Sequence, residues 1–169
     1  GSAVIPGSMS ENLVAHFPLS SEAESQFDGK RFVDGGTLYR LGPVNAFTMA
    51  AWIEPAALTG PILTRTLMAP KAPGYQFMLK DGKLQVNLVT GIWMDEAIHV
   101  ESQEALVLNG RHHVAATYDG SHMVQGLRLF VDGKSVPVKI LFNAIGHPSI
   151  EGPANPMRIG AGGGPDRFR

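Results

Sequence analysis

The sequence predicts an all-β protein, built as a two-sheet antiparallel β-sandwich of the jelly-roll type. Short runs alternate between apolar and polar residues, which is the pattern of strands with one buried face. Asp-Gly pairs begin at residues 28, 34, 81, 119 and 132. Asp-Gly is the strongest short-range hairpin signal, because both central residues of the turn need positive φ. Turn signals recur about every 8–12 residues, so we expect about 10–13 short strands.

The composition favours one globular domain with a lightly charged surface. Of the 169 residues, 44% are hydrophobic and 17% charged, and the net charge is −1. A nucleic-acid partner would require clustered Lys and Arg, and a membrane span would require about 18 consecutive apolar residues; the sequence contains neither. The absence of cysteine excludes disulfides, thiolate metal sites and cysteine nucleophiles. We interpret residues 1–9 as an expression-tag remnant and residues 10–169 as the domain.

The first half of the domain begins with a predicted strand over residues 13–19, ended by proline. The polar segment 20–29 is expected to be a turn. In segment 47–53, Phe47, Met49, Ala51 and Ile53 alternate with Thr48, Ala50 and Trp52, which predicts a strand. A short strand is expected over 62–65.

The cleanest hairpin lies over residues 75–89, where Asp81-Gly82 separates two alternating runs. Further strands are predicted over 99–101, 105–108, 112–118 and 157–160, and segments 127–131 and 136–141 are expected to pair around Asp132-Gly133. Ten side chains should dominate the core: Tyr75, Phe77, Leu79, Leu84, Val86, Val114, Ala116, Leu127, Leu129 and Val131. Each contributes about 1.5–3 kcal/mol on burial, and conformational entropy offsets most of the sum.

Four segments keep the order of motifs of a known family. They are FTMAAWIEP at 47–55, HHVAATYDG at 112–120, LFVDGK at 129–134 and RIG at 158–160. On these motifs the chain resembles, over nearly all of residues 13–169, the laminin G-like domains of the concanavalin A-like lectin/glucanase superfamily. Residues 93–100 and the GLRLF run at 126–130 resemble a narrower variant, found in large secreted bacterial proteins with cytochrome c-like domains.

The resemblance implies a concanavalin A-like sandwich that acts as a non-catalytic recognition module within a larger protein. Its partner would be a carbohydrate or a neighbouring protein domain, and its location secreted or periplasmic. Family position, together with alternation, places Trp52 in the core. Arg111 stands where the family usually has tryptophan. The family also implies a strand after Arg169; we expect the edge that it would leave to be covered by the tag segment, a neighbouring chain or a swapped strand, with an edge-paired or strand-swapped dimer as one outcome.

The residues argue against most catalytic sites. Glycoside hydrolases need two carboxylates about 5–10 Å apart, and the adjacent Asp95 and Glu96 would point to opposite faces of a strand. The same geometry argues against His112 and His113 as a metal pair, and predicts one packed inside and one facing solvent. The glycine run 160–164 is followed by Pro165 and not by Lys-Ser/Thr, so we expect a wide turn and no phosphate loop.

Two candidate sites remain for a recognition module. Exposed aromatic side chains and forked donors bind glycans, which suggests a patch of Arg65, Trp93, Asp95 and His99, although Trp93 could equally be a lid over the core. One calcium ion is a further expectation by resemblance, with Asp28, Asp34, Asp119 and Asp166 as loop ligands; turn chemistry alone also explains the first three. A structural spacer without a ligand, and a glycosidase-like enzyme, are the alternative functions.

Overall fold

The computed structural model describes residues 12–37, 41, 44–66, 73–90, 96–145, 155–162 and 167–169. In these residues the chain forms eleven strands, one short helix and one 3-10 turn: α1 (Glu22–Ser25), β1 (Val33–Gly36), β2 (Phe47–Ile53), β3 (Gly60–Thr66), β4 (Gly74–Lys80), β5 (Lys83–Val89), β6 (Ala97–Ala105), β7 (His112–Tyr118), the 3-10 turn (Val124–Gly126), β8 (Leu127–Val131), β9 (Lys134–Val136), β10 (Val138–Ala144) and β11 (Met157–Ile159).

The strands form two antiparallel sheets, as the sequence predicted. One sheet has seven strands in the order β1-β11-β3-β4-β5-β6-β10, and the other has four in the order β2-β7-β8-β9. The fold is therefore the two-sheet sandwich expected of a jelly roll, and the strand count lies within the predicted range.

The Asp-Gly turns fix the hairpins. Asp81 and Gly82 have φ of 52° and 78°, and Asp132 and Gly133 have φ of 50° and 77°. Positive φ at both central residues gives a turn whose twist matches that of the flanking strands. The first turn joins β4 to β5 in unbroken register from Lys80↔Lys83 to Gly74↔Val89, and this confirms the predicted hairpin.

The core lies between the inner faces of the two sheets. Alternate residues of β4, β5 and β6 point into it, and Phe77, Leu79, Leu84, Val86 and Leu88 are fully buried. Of the ten side chains predicted to dominate the core, all are buried except Val131, which is half-buried against the same cluster.

The N-terminal part of the domain differs from its prediction. Residues 13–19 form no strand, and residues 20–29, expected to be a turn, contain helix α1. The helix follows a capping box: Ser21 Oγ accepts a hydrogen bond from Glu24 N, and Glu24 Oε2 accepts one from Ser21 N. The reciprocal pair satisfies two N–H groups that the first helical turn leaves without partners. A segment such as 13–19 becomes a strand only where a neighbouring strand supplies hydrogen bonds, and no described strand pairs with it.

The predicted pairing of segments 127–131 and 136–141 is also wrong beyond its first residue. Strand β8 pairs with the short β9, and the chain then crosses at Pro137 to the other sheet, where β10 pairs with β6. Proline has no N–H to donate to a ladder, so a strand ends readily at this position. The strand expected at 99–101 is part of the longer β6, which ends at Ala105. The strand expected at 105–108 is wrong beyond its first residue, because residues 106–108 form no strand.

Trp52 is not a core residue. Its side chain is 63% exposed on the outer face of the four-stranded sheet, opposite His113. The buried set of β2 is the other alternation, in which Met49 and Ile53 are buried and Phe47 and Ala51 half-buried. Because side chains alternate between faces, a residue in phase with the exposed Thr48 and Ala50 faces outward with them.

Candidate functional site

The outer face of the seven-stranded sheet carries two adjacent rows of polar side chains. Strand register places Gln76, Asn87 and His99 side by side on β4, β5 and β6. The neighbouring row contains Gln85 and Glu101. Directly opposite residues on antiparallel strands have Cβ atoms about 4.5–5.5 Å apart, so these side chains form one contiguous surface.

Hydrogen bonds link the two rows into one network. His99 Nε2 lies 3.0 Å from Gln85 Oε1, and Gln85 Nε2 donates to Glu101 Oε2 at 2.6 Å. Lys83 Nζ lies 3.5 Å from Glu101 Oε1. Because Gln85 Oε1 is an acceptor, neutral His99 donates through Nε2 and keeps Nδ1 as an acceptor. Gln85 is almost fully buried, so the network fixes its amide in one orientation.

An exposed aromatic ring borders this network. Strand β10 has a register shift between Ile140 and Phe142, which places Phe142 opposite His99. With unbroken register Phe142 would have faced Ile98 and turned toward the core side. A bulge re-aims side chains in this way, and here it leaves the Phe142 ring 41% exposed beside the polar rows.

Asn87 contributes an unsatisfied acceptor to the surface. Its Oδ1 atom is shielded from solvent and has no hydrogen-bond partner among the described residues. Leaving a buried acceptor unpaired costs about 1–3 kcal/mol.

The charges on this face respond to their surroundings. The hydrogen bond that Gln85 donates holds the pKa of the Glu101 carboxyl below its ordinary value. The positive charges of Lys83 and Lys139 lower this pKa further. Partial burial lowers the pKa of His99, against the opposing effect of the Glu101 charge. Near neutral pH the face therefore presents an ionised carboxylate beside a neutral imidazole.

We expect His99 to make the domain less stable in mild acid. A histidine whose pKa is lowered by folding contributes stability that is complete above its ordinary pKa of 6.5 and is lost as the pH falls through the lower folded value. Melting temperatures measured from pH 7.5 to 5 should therefore fall more steeply for the natural protein than for His99→Gln.

The remaining histidines are common to both proteins, so the difference in slope reports on His99 alone. Glu101 shows its own loss only in more acidic solution, because its lowered pKa lies below the ordinary 4.5. Equal slopes for the two proteins between pH 7.5 and 5 would contradict this reading of His99.

The structure does not bring the predicted patch together as a set. His99 lies on the outer face, whereas Arg65 pairs with Tyr75 on the core-facing side of β3 and is 2% exposed. Trp93 and Asp95 lie outside the described residues. The two members that can be placed are therefore on opposite faces of one sheet, and the patch as a whole stays a prediction.

The predicted calcium ligands act within their own turns. Asp28 Oδ1 accepts hydrogen bonds from Lys30 N and Arg31 N at 2.9 Å each, Asp34 Oδ1 accepts one from Gly36 N, and Asp119 Oδ1 accepts one from Ser121 N. These bonds lower the pKa of Asp28 and of Asp119, the latter mainly through the Ser121 hydroxyl. Asp166 lies outside the described residues, and within the described part no three Asp, Glu or His side chains group as metal ligands.

His112 and His113 separate as strand geometry predicts, although both are half-buried. His112 Nδ1 lies 2.9 Å from Asp132 Oδ2, and its Nε2 lies 3.2 Å from the Val107 carbonyl oxygen. This contact lowers the pKa of the Asp132 carboxyl. His113 is on the outer face, with its ring centroid 5.1 Å from that of Trp52. The pair therefore supports the second sheet and its Asp132-Gly133 turn.

The comparisons with solved structures support the same architecture. Domains LG4-5 of the mouse laminin α1 chain align with a TM-score of 0.57 at 18% identity, over 85% of this chain and 37% of that one. The CBM40 module of the Ruminococcus gnavus IT-sialidase, solved with α2,3-sialyllactose bound, aligns with a TM-score of 0.56 at 10% identity, over 85% of both chains. The present chain thus spans little more than a third of the laminin fragment.

No curated protein matches the sequence. None of the helices in the described part of the chain has the length and hydropathy required to cross a bilayer. Residues 29–169 match the laminin G-like family of the concanavalin A-like lectin/glucanases superfamily. A match over this much of the chain, together with the two-sheet sandwich, establishes that the chain belongs to the concanavalin A-like lectin/glucanases superfamily.

Proposed function

We propose that this domain is a non-catalytic recognition module that binds carbohydrate on the outer face of its seven-stranded sheet. The observation that carries the proposal is the polar network of His99, Gln85 and Glu101 with Phe142 at its border. Amide, imidazole and carboxylate groups in fixed orientation bind sugar hydroxyls, and an exposed ring packs against the apolar face of a sugar.

The pre-arranged network supports binding more than it supports stability alone. Its members are held by hydrogen bonds before any ligand arrives, so little side-chain entropy is lost on binding. The sialidase module supports the proposal by analogy, since it has a similar sandwich and was solved with a sialylated sugar. A neighbouring protein domain is the second partner that such a surface fits, because the same polar groups and the same ring serve protein interfaces.

The carboxylates of this face favour binding over hydrolysis. Strand register extends the row of Gln76 through Thr64 and Arg158 to Asp34 on β1. Five strand spacings separate Asp34 from Glu101 on β6. At about 4.8 Å per spacing the two lie roughly 24 Å apart. Glycoside hydrolases place their two carboxyl groups within about 10 Å of each other. We therefore propose no hydrolytic role for this pair.

We further propose that the domain works outside the cytoplasm as part of a larger secreted or periplasmic protein, in line with the resemblance of residues 93–100 and 126–130 to the bacterial variant with cytochrome c-like domains. A structural calcium ion stays a separate proposal. A rise in melting temperature on adding calcium, reversed by a chelator, would support it.

Binding is tested with a glycan array that includes α2,3-sialyllactose, followed by calorimetry on the glycans that bind. We expect Phe142→Ala and His99→Ala each to weaken the affinity tenfold or more, which corresponds to about 1.4 kcal/mol or more. Each variant removes a group that faces the ligand and leaves the inner face of the sheet unchanged.

Trp52→Ala is the matched control, because it removes an exposed aromatic ring from the other sheet. Its affinity should equal that of the natural protein. If Trp52→Ala abolishes binding and Phe142→Ala does not, the proposed face is wrong. If no glycan binds, and no isolated partner domain binds either, the structural-spacer alternative replaces the proposal.

A further inference from the structure

One nitrogen of His99 is the open hydrogen-bond acceptor of the polar network. A carboxylate can only accept, so the Gln85 atom 2.6 Å from Glu101 Oε2 must be the amide nitrogen, and the amide oxygen must face His99 Nε2. Lys83 Nζ engages the other oxygen of Glu101. His99 Nδ1 has no partner among the described residues, and it is not one of their unpaired atoms that are shielded from solvent. The neutral ring therefore presents a bare lone pair at Nδ1.

An apolar ring lies directly beside this acceptor. Phe142 is the residue opposite His99 in the ladder between β10 and β6. Directly opposite side chains on antiparallel strands have Cβ atoms about 4.5–5.5 Å apart, and the Phe142 ring is 41% exposed. A single ligand group can therefore satisfy both residues only if it has a hydrogen-bond donor and an apolar part close together.

We propose that this pair of residues selects sugars that carry an acetamido group, an inference that rests on the proposed function and names its substrate class. The amide N–H of the acetamido group donates to His99 Nδ1, and its methyl group packs against the Phe142 ring. In a planar trans amide the N–H and the methyl group lie on the same edge, so both contacts form at once. The carbonyl oxygen points to the opposite edge and stays free for water.

Other sugar groups fit this pair of residues less well. A hydroxyl group donates to Nδ1, but it offers nothing apolar to the Phe142 ring. A carboxylate has acceptor oxygens only, and it would place a lone pair against the lone pair of Nδ1. An amide N–H is a donor that cannot reverse its role, so its match with a fixed acceptor discriminates more strongly than that of a rotating hydroxyl.

The test compares sugars that differ only at this group. Chitotetraose and cellotetraose have the same length and linkage, and they differ by an acetamido group in place of a hydroxyl on each ring. N-acetyllactosamine and lactose form a second such pair. We expect calorimetry at pH 7.5 to show about tenfold or more higher affinity for the acetamido member of a pair, since one methyl group in an apolar contact already discriminates by about that factor.

Two variants remove the groups that read the acetamido sugar. His99→Phe removes the acceptor and keeps a planar ring at the same position, so it should bind both members of a pair with similar, weak affinity. Phe142→Ala removes the apolar contact and should also reduce the preference. Trp52→Ala, which removes an exposed ring from the other sheet, is the matched control and should keep the full preference. Melting temperatures show whether each variant is folded.

The natural protein provides a test that needs no substitution. Burial lowers the pKa of His99, so the ring is neutral at pH 7.5 and takes up a proton as the pH falls through the lowered value. The proton occupies Nδ1, which then cannot accept from an amide N–H, whereas a hydroxyl can turn and accept from it. The preference for acetamido sugars should therefore shrink between pH 7.5 and 5. The charged groups around His99 are common to both sugars of a pair and cancel in the preference: Lys80, Lys83, Glu101 and Lys139.

Three outcomes separate this inference from the proposed function. If hydroxyl sugars bind as tightly as their acetamido counterparts, the inference is wrong and the proposed binding face is unaffected. A preference that persists both in His99→Phe and at pH 5 would also overturn it, because the acceptor would then not be His99. If no glycan of either kind binds, the proposed function and this inference fall together.

Discussion

Replacing Phe77 with alanine is expected to lower the free energy of unfolding by about 3–5 kcal/mol. Phe77 is fully buried at the centre of the seven-stranded sheet, where β4 lies between Leu63 of β3 and Val86 of β5. The substitution removes the transfer free energy of the ring and leaves a cavity that rigid neighbouring strands cannot close. Because a domain is stable by only about 5–15 kcal/mol, denaturant titration should show a large shift of the midpoint.

Trp52→Ala is the informative comparison for this prediction. The Trp52 ring contacts the Arg111 guanidinium at 4.9 Å and the His113 ring at 5.1 Å, both on the sheet surface. Loss of such exposed contacts costs about 0.5–1 kcal/mol. If Trp52→Ala cost as much as Phe77→Ala, the tryptophan would have to be a core residue after all.

Gly74→Ala is the second substitution for which we expect a large loss of stability. Gly74 has φ of +139°, and a Cβ added there would lie 1.9 Å from the Arg65 carbonyl oxygen. The strained backbone costs about 1–3 kcal/mol, and the overlap costs about 1–3 kcal/mol more. The obstacle is backbone, so no side-chain rotation can relieve it. Thermal unfolding should show the loss, since Gly74 pairs with both Thr66 and Val89.

Gly133→Ala separates the two causes. Gly133 also has positive φ, at +77°, but a Cβ there would meet nothing within 4 Å. This variant should therefore show only the conformational cost, about 1 kcal/mol. Equal losses for the two variants would mean that neither the more extreme φ of Gly74 nor the contact with Arg65 adds to the cost.

The hairpins and the core could be predicted because their signals are local. In β4 and β5 one alternation carries Tyr75, Phe77, Leu84 and Val86, and a turn with positive φ joins the two strands. The same rule was available for Trp52, whose phase matches that of Thr48 and Ala50. Alternation and family position together had predicted that the face of Trp52 is the buried one; the exposed ring shows that the buried face of β2 is the other one, with Met49 and Ile53.

The candidate site was predictable only in part. His99 was singled out from the sequence, and the alternation of β5 could also have indicated Gln85 and Asn87, as polar residues between buried ones. The sequence predicted Arg65 beside His99, but a register shift in β3 between Pro61 and Leu63 places Arg65 opposite Tyr75. The sequence pattern did not show this shift. Arg65 consequently shares the face of Tyr75, with its Nε and Nη2 atoms shielded from solvent and unpaired among the described residues.

The amino-acid order by itself determined which residues of each strand share a face and where the chain turns, because both depend on neighbours two or three positions apart. The tertiary structure decided which strands became neighbours, that the chain changes sheets at Pro137, and that a bulge turns Phe142 outward beside His99. These features depend on hydrogen-bond register between segments about 40 residues apart. Register is settled only when both sheets close over one core, so no local pattern records it.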